Sequence, residues 1–125
     1  MSVARPAPVG YHTVTPRIVV PDVSAAVTFL REVFAAAGEV TEGRPAELRI
    51  GDSLIMVSPA GDREAFSGFL YIYVNDADST HRVALAAGAQ EIEAPSDTHY
   101  GDRRAMFRDQ FGNVFQVAHR LGVSP

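Results

Sequence analysis

The chain has 125 residues, of which 46% are hydrophobic and 21% are charged, and its formal net charge at pH 7 is −4. This length suits one domain with a buried core and is too short for two. The charges are mixed and form no basic stripe of the kind that binds nucleic acid, and the lack of cysteine excludes disulfides, zinc–thiolate centres and thiolate catalysis. No apolar run has the length of a membrane span and no secretory leader is recognisable, so we expect no membrane partner and a cytoplasmic protein.

The first half of the chain predicts a strand, a helix and three further short strands. Residues 1–12 are rich in proline and glycine and are expected to form a flexible lead. Alternating β-branched residues predict a strand from Thr13 to Val20, and Asp22 can cap the helix that follows. Helical spacing continues as far as Ala37, and Gly38 is expected to end the helix. Short strands are then predicted at Glu39–Thr41, Ala46–Ile50 and Ser53–Ser58, the last two joined by a turn at Gly51-Asp52 and followed by a polar loop at Ala60–Ala65.

The second half repeats this order. Val74-Asn75-Asp76 matches Val20-Pro21-Asp22, and Ala86-Ala87-Gly88 matches Ala36-Ala37-Gly38. These matches indicate an internal duplication, although two unrelated units with similar turn residues remain the alternative. We therefore predict an α+β domain at residues 13–119, made of two modules (13–58 and 68–119) and followed by a tail at 120–125. The strands of the second module are predicted at Phe69–Val74, around Ile92, at Arg104–Arg108 and at Val114–Ala118, and its helix is bounded by Asp76 and Gly88.

Alternation along the strands predicts two unlike faces. In the segment Phe69–Val74, one face carries the aliphatic residues Leu70, Ile72 and Val74, which suit packing against a helix. The other face carries Phe69, Tyr71 and Tyr73. The aromatic and polar faces of the strands are typical of a binding cavity.

The repeated strand–helix–three-strand unit, with Val-x-Asp before each helix, resembles the vicinal oxygen chelate superfamily. That superfamily includes glyoxalase I, extradiol dioxygenases and bleomycin-resistance proteins, and this chain is most similar to its PhnB-like branch. The resemblance covers Thr13 to His119 and implies two βαβββ modules that form a cup-shaped mixed sheet. The residues that carry it are Thr15-Pro16, Ala26–Phe34, Ala46–Ser53, Tyr71–Val74, Tyr100–Arg103 and Arg108–Asn113.

The resemblance also implies four metal-ligand positions, one on the first and one on the last strand of each module. Matched to this sequence, they fall on Thr15, Met56, Phe69 and Gln116. These residues lack the carboxylate and imidazole groups that bind divalent cations. We therefore expect no metal and no other cofactor.

Other polar residues have two interpretations. Arg17, Glu47 and Arg49 alternate with apolar residues, so they point either into the cup or to a solvent-exposed edge. The rings of Phe69, Tyr71 and Tyr73 either stack on a planar ligand or fill a closed cup. The segment Tyr100–Arg103 is expected to form a tight turn in which Asp102 pairs with an arginine, and Asp109 is expected to form another turn. The four histidines, His12, His81, His99 and His119, are expected to be structural or surface residues.

Two functions of different classes remain open. The first is a metal-free protein that binds and sequesters an aromatic or hydrophobic small molecule. The second is an enzyme of lyase, isomerase or dioxygenase type in the same cavity, in which Glu47 acts as general base and Arg17 or Arg49 stabilises an oxyanion. We expect the partners to be a small molecule and a second copy of the chain in a homodimer. The expected ligand-binding residues are Thr15, Arg17, Arg49, Met56, Phe69, Tyr71, Tyr73 and Gln116.

Overall fold

The computed structural model describes residues 7–61 and 64–122, which form two mixed sheets and two helices. The first sheet has the strand order β1-β3-β2 and the second has the order β4-β7-β6-β5. In each sheet the first strand of the module pairs in parallel with the last one, and the other pairs are antiparallel. The expected α+β class is confirmed. The elements are β1 (Arg17–Val20), α1 (Val23–Phe34), β2 (Ala46–Ile50), β3 (Ser53–Pro59), β4 (Phe69–Tyr73), α2 (Ala77–Ala86), β5 (Gln90–Asp97), β6 (Asp102–Arg108) and β7 (Val114–Arg120).

Some expectations lie partly outside the described residues. These are the flexible lead at its residues 1–6, the polar loop at residues 62–63 and the tail at residues 123–125. Strand β7 continues to Arg120, two residues beyond its expected end at Ala118. Within the described part of the chain, no helix is long and apolar enough to cross a membrane.

Helix α1 begins as expected and ends early. The Asp22 carboxylate accepts a 3.1 Å hydrogen bond from the Ala25 amide, and so caps the first turn. The predicted continuation to Ala37 is wrong, because Ala35 adopts a left-handed conformation with φ 53°. The chain leaves the helix there so that Ala37 can exchange hydrogen bonds of 2.9 and 2.7 Å with Arg49 of β2. Gly38 therefore does not end the helix but lies against the Glu47 carbonyl.

The strand predicted at Glu39–Thr41 is absent. A single bridge between Ala37 and Arg49 takes its place, and the first module has three strands where the second has four. The residues of this segment are all exposed, so a strand here would bury no apolar side chain. The first predicted strand is also shorter than expected, since regular pairing begins at Arg17. Before it, the Pro16 carbonyl accepts a 2.9 Å hydrogen bond from Met56.

Helix α2 has both predicted ends. The Asp76 carboxylate accepts hydrogen bonds from the amides of Asp78 and Ser79. Gly88 follows the helix with φ 102°, and the next amide, that of Ala89, donates back to Ala84. This is the six-to-one bond of a glycine-terminated helix.

One core joins both helices to both sheets. Phe29 and Phe34 of α1 pack on Phe107 of β6 and Phe115 of β7, with ring centroids 5.5–6.3 Å apart. Phe107, Phe115 and the neighbouring Val117 are completely buried. The helices therefore cover one face of the sheets, and the candidate site lies on the opposite face.

Candidate functional site

The strand faces that point away from the helices form what we call the open face. On the second sheet, β4 contributes Phe69, Tyr71 and Tyr73, and its alternate residues Leu70 and Ile72 pack on the core. The predicted division of this strand into two faces is confirmed. Neighbouring strands add Gln116, Met106 and Arg104, because β4 pairs with β7 and β7 with β6.

The three rings of β4 are exposed to an unusual degree for aromatic side chains. The exposed fraction is 65% for Phe69, 38% for Tyr71 and 59% for Tyr73. The Tyr71 and Tyr73 rings lie 5.4 Å apart, tilted at 59°. The rings therefore do not fill a closed cup among the described residues, and they remain available to a ligand.

A buried carboxylate holds both tyrosine hydroxyls. Asp102 is completely buried, and its Oδ2 accepts hydrogen bonds from Tyr71 at 2.6 Å and from Tyr73 at 2.9 Å. Its Oδ1 accepts from Arg120 at 2.7 Å. The expected pairing of Asp102 with an arginine is thus confirmed, and the same carboxylate fixes the orientation of two rings on the open face.

The hydrogen-bond network continues from Tyr71 to Tyr100 and then to Arg104. Because Tyr71 donates its proton to Asp102, the hydroxyl of Tyr100, 3.1 Å away, must donate to Tyr71. Tyr100 in turn accepts a 2.9 Å hydrogen bond from Arg104. Each hydroxyl proton of Tyr71, Tyr73 and Tyr100 is therefore assigned to an acceptor inside the protein.

The pKa values in this network argue against acid–base chemistry. Burial raises the pKa of Tyr71 far above its usual value, and the hydrogen bonds to Asp102 and Tyr100 raise it further. The hydrogen bond to Asp102 likewise raises the pKa of Tyr73. Hydrogen bonds from Tyr71, Arg120 and Tyr73 lower the pKa of Asp102 against the opposing effect of its burial. At neutral pH the tyrosines stay protonated and Asp102 stays charged, so the network holds the rings in place through fixed hydrogen bonds.

The open face of the first sheet differs, since the chain's own N-terminal segment lies across part of it. Gly10 lies close to the Arg49 guanidinium and to Leu54. The Glu47 carboxylate raises the pKa of Tyr11, and burial raises it further, although the two groups do not meet hydrogen-bond geometry. The segment before β1 thus occupies the surface beside Glu47 and Arg49.

The four matched ligand positions do not fit a metal. Phe69 has no donor atom, and the Met56 sulfur already accepts a 3.1 Å hydrogen bond from Arg17. A metal site would bring Thr15 together with Met56, and Phe69 together with Gln116. In the sheets, Met56 instead lies opposite Arg17, and Gln116 lies opposite Tyr71. Within residues 7–61 and 64–122, no three His, Asp or Glu side chains come together as metal ligands would. The side chains at these positions therefore give a metal ion no role in a mechanism.

A cavity of about 290 Å³ lies beside the rings. It is bounded by the open edge of β4, by Pro16 and Ile55, and by the turn between β2 and β3. Two larger hollows, of about 420 and 470 Å³, lie between the helices and beside β2, and neither is lined by the β4 rings. We favour the smaller cavity because it adjoins Tyr71 and Tyr73. Its lining residues are Pro16, Ile50, Gly51, Asp52, Ser53, Ile55, Leu70, Tyr71, Ile72 and Tyr73.

Glu47 and Arg49 do not join this group. Both lie on β2, the outer strand of the first sheet. The next residue of β2, Ile50, lines the cavity together with Tyr71 and Tyr73, but Glu47 and Arg49 do not.

His81, His119 and Asp109 have structural partners, and His12 and His99 are exposed. His81 is buried and contacts Glu91 at 2.7 Å, and His119 Nδ1 accepts a 2.8 Å hydrogen bond from the Ala77 amide. Asp109 accepts from the amides of Phe111 and Asn113 and so forms the expected turn.

Sequence reasoning did not connect Asp102 with the rings. It placed Asp102 in a turn, whereas the residue begins β6 and points to the open face. The sequence did contain one indication that Asp102 contacts the rings. Two phenols on one strand face need an acceptor when half-buried, and Asp102 alternates with Arg104 and Met106 on a segment of strand character.

The comparisons with known proteins agree on one fold. The model of the Glyoxalase/Bleomycin resistance protein/Dioxygenase superfamily matches residues 10–117. No curated protein sequence matches the chain.

Several solved structures are similar over most of their length. TioX from Micromonospora sp. ML1 is 23% identical with a TM-score of 0.75, covering 86% of this chain and 97% of that one. A glyoxalase/bleomycin resistance protein/dioxygenase family enzyme from Burkholderia phytofirmans PsJN is 26% identical with a TM-score of 0.73, covering 84% and 95%. Lactoylglutathione lyase from Agrobacterium tumefaciens is 17% identical with a TM-score of 0.69, covering 86% and 92%.

Proposed function

Because the chain belongs to the glyoxalase/bleomycin resistance protein/dioxygenase superfamily, we propose that it binds an aromatic or hydrophobic small molecule on the open face without a metal and leaves it chemically unchanged. The observation that carries this proposal is the set of exposed rings on β4, two of which are locked by Asp102. Within the superfamily, we propose the PhnB-like branch on the strength of segments such as Tyr71–Val74 and Tyr100–Arg103.

Locked rings suit binding for a thermodynamic reason. A free tyrosine side chain loses rotamer freedom when a ligand orders it, and that loss weakens binding. Tyr71 and Tyr73 are already ordered by Asp102 before a ligand arrives. Their ring faces therefore offer contact area at little further entropic cost.

The side chains of the open face suit binding better than turnover. A general base needs a free lone pair near the substrate. Asp102 is completely buried and is not exposed to a substrate, and Tyr71 and Tyr73 donate their protons to it. Glu47 is the remaining candidate base of the enzyme hypothesis, and it does not line the cavity beside the rings.

We also propose that a second copy of the chain covers the exposed apolar side chains. Val14, Phe66, Phe69 and Tyr73 are each more than half exposed, and no described element of the chain lies over the rings of β4. A two-fold pairing lets the same surfaces of both copies face each other, with the ligand enclosed between them. Such a pairing would also enclose the cavity beside β4.

A thermal-shift screen with aromatic compounds, followed by mass spectrometry, tests the proposed function. A ligand stabilises the protein by RT ln(1 + [L]/Kd), so a tight binder raises the melting temperature. The proposal expects stabilisation that persists in Glu47→Gln, weakens in Tyr73→Leu and leaves the compound's mass unchanged. Conversion of a compound that Glu47→Gln abolishes would support the enzyme hypothesis instead.

A further inference from the structure

The open face is richer in positive charge than the molecule as a whole. The chain has a net charge of −4, yet more arginines than acids point from the strands to this face. Two of these arginines are paired, Arg120 with Asp102 at 2.7 Å and Arg104 with Glu93 at 3.5 Å. The side chains concerned are Arg17, Arg49, Arg104, Arg108 and Arg120, with the acids Glu47, Glu93 and Asp102.

Arg17 lacks a carboxylate partner. Among the described residues it forms no ion pair, and its side chain donates one hydrogen bond, from Nη2 to the sulfur of Met56 at 3.1 Å. A thioether is a weak acceptor for a group with five N–H donors. The guanidinium is exposed and keeps most of its hydrogen-bonding capacity for another molecule.

Arg17 also lies near the start of the ring-bearing strand β4. Gly68, which precedes β4, lies so close to Ile18 that a Cβ on it would stand 3.0 Å from the Ile18 side chain. The start of β4 therefore lies beside β1. Ile18 and Gly68 face the core, so by alternation Arg17 and Phe69 both point to the open face. The pairing of β1 with β3 places Arg17 opposite Met56, and the equivalent pairing of β4 with β7 places Tyr71 opposite Gln116. Arg17 and Tyr71 therefore occupy equivalent positions in the two modules.

We infer that the ligand is a planar aromatic carboxylate, whose ring lies on the β4 side chains and whose acid group pairs with Arg17. A guanidinium binds a carboxylate through two parallel N–H···O bonds and is suited to planar anions beside aromatic rings. This inference rests on the proposed function and adds to it the charge of the ligand. Arg49 is not the partner, because it lies on β2 beside the N-terminal segment.

Calorimetric titration of the full chain with naphthalene carboxylate and with its neutral analogue, naphthalene carboxamide, tests the inference. The two probes share a ring system and differ in charge. Wild-type protein should bind the carboxylate about tenfold more tightly than the carboxamide, with a preference that declines as salt is added. Arg17→Gln should abolish this preference and leave carboxamide binding within about twofold of wild type. Arg17→Lys should retain part of it, and Arg82→Gln, the same charge change on the exposed side of α2, should retain all of it.

The outcomes separate the two proposals. Equal affinity for both probes in wild type, or a preference that survives Arg17→Gln, overturns the inference and leaves aromatic binding intact. If neither probe binds, the proposed function fails, and the inference fails with it. Circular dichroism of the Arg17 variants establishes that a lost preference does not come from lost structure.

Discussion

The Tyr71 hydroxyl donates a 2.6 Å hydrogen bond to the completely buried carboxylate of Asp102. This contact links the interior of the second sheet to the exposed rings on its open face. It keeps the phenol protonated, holds the ring in one orientation and gives Asp102 one of its three side-chain partners. The proposed binding of an aromatic molecule depends on this positioning.

The same contact predicts how stability depends on acid. Asp102 has a lowered pKa, first through the hydrogen bond from Tyr71, and Asp78 has a lowered pKa through Arg103. A carboxyl group whose pKa is lower in the folded state stabilises the fold above its unfolded pKa, near 4, and loses that contribution as the pH falls through the folded pKa. Urea denaturation should give a free energy of unfolding that is steady from about pH 7 to 5 and falls below about pH 4. In Asp102→Asn the acid-induced fall should be smaller, and an equally steep fall would count against this role.

The two faces of β4 should differ in what they stabilise. Ile72 packs partly buried on the core, so Ile72→Ala should lower the free energy of unfolding by about 2 kcal/mol, the lower end for such changes. Phe69 is 65% exposed and has no polar atom to hold a partner, so Phe69→Ala should lower it clearly less while weakening the binding of an aromatic compound. Denaturant titration of both variants measures the difference. The reverse order would indicate that the strand is out of register by one residue.

Metal binding should be weak and unspecific. Thr15, Met56, Phe69 and Gln116 offer no carboxylate or imidazole, and Met56 already contacts Arg17. Elemental analysis of protein purified without chelators, followed by titration with nickel or zinc, should find no stoichiometric ion. A tightly held equivalent that disappears in Gln116→Ala would contradict the expectation that these four side chains bind no metal.

The exposed rings should contribute to a dimer. Light scattering at micromolar concentration should give the mass of two chains, and Phe69→Glu should shift it towards one, because a charge would be buried in the interface. Val83→Glu places the same charge on the exposed side of α2 and should leave the mass unchanged. A wild-type monomer would exclude pairing through the open face at that concentration.

Periodicity and caps predicted the elements that depend on local chemistry. Asp22 and Asp76 cap the two helices, and the alternation of β4 separates Ile72 from Tyr73. The predictions failed where a distant segment decides the local structure. Ala35 takes a left-handed conformation because Ala37 pairs with Arg49, and nothing near Ala35 in the sequence indicates this.

The site was predictable in its parts and less so in its connections. The alternation of side chains along β4 predicted that its rings share one face. It could not show that Asp102 orders these rings, because Asp102 lies on β6 and strand β7 stands between β6 and β4. The same alternation predicted that Arg17 and Arg49 point to the same face and did not distinguish between them. Their surroundings separate them, because Arg17 lies on β1 beside the start of β4, whereas Gly10 of the N-terminal segment lies against the Arg49 guanidinium.

Binding on the open face is tested most directly by locating a bound probe through intermolecular nuclear Overhauser effects. The protein is labelled at its phenylalanine and tyrosine rings and titrated with naphthalene carboxamide, which tests ring binding independently of ligand charge. Binding at the proposed site predicts contacts from the probe to the rings of Phe69, Tyr71 and Tyr73. Contacts to Phe29 and Phe111 instead, which line the larger hollow between the helices, would contradict it.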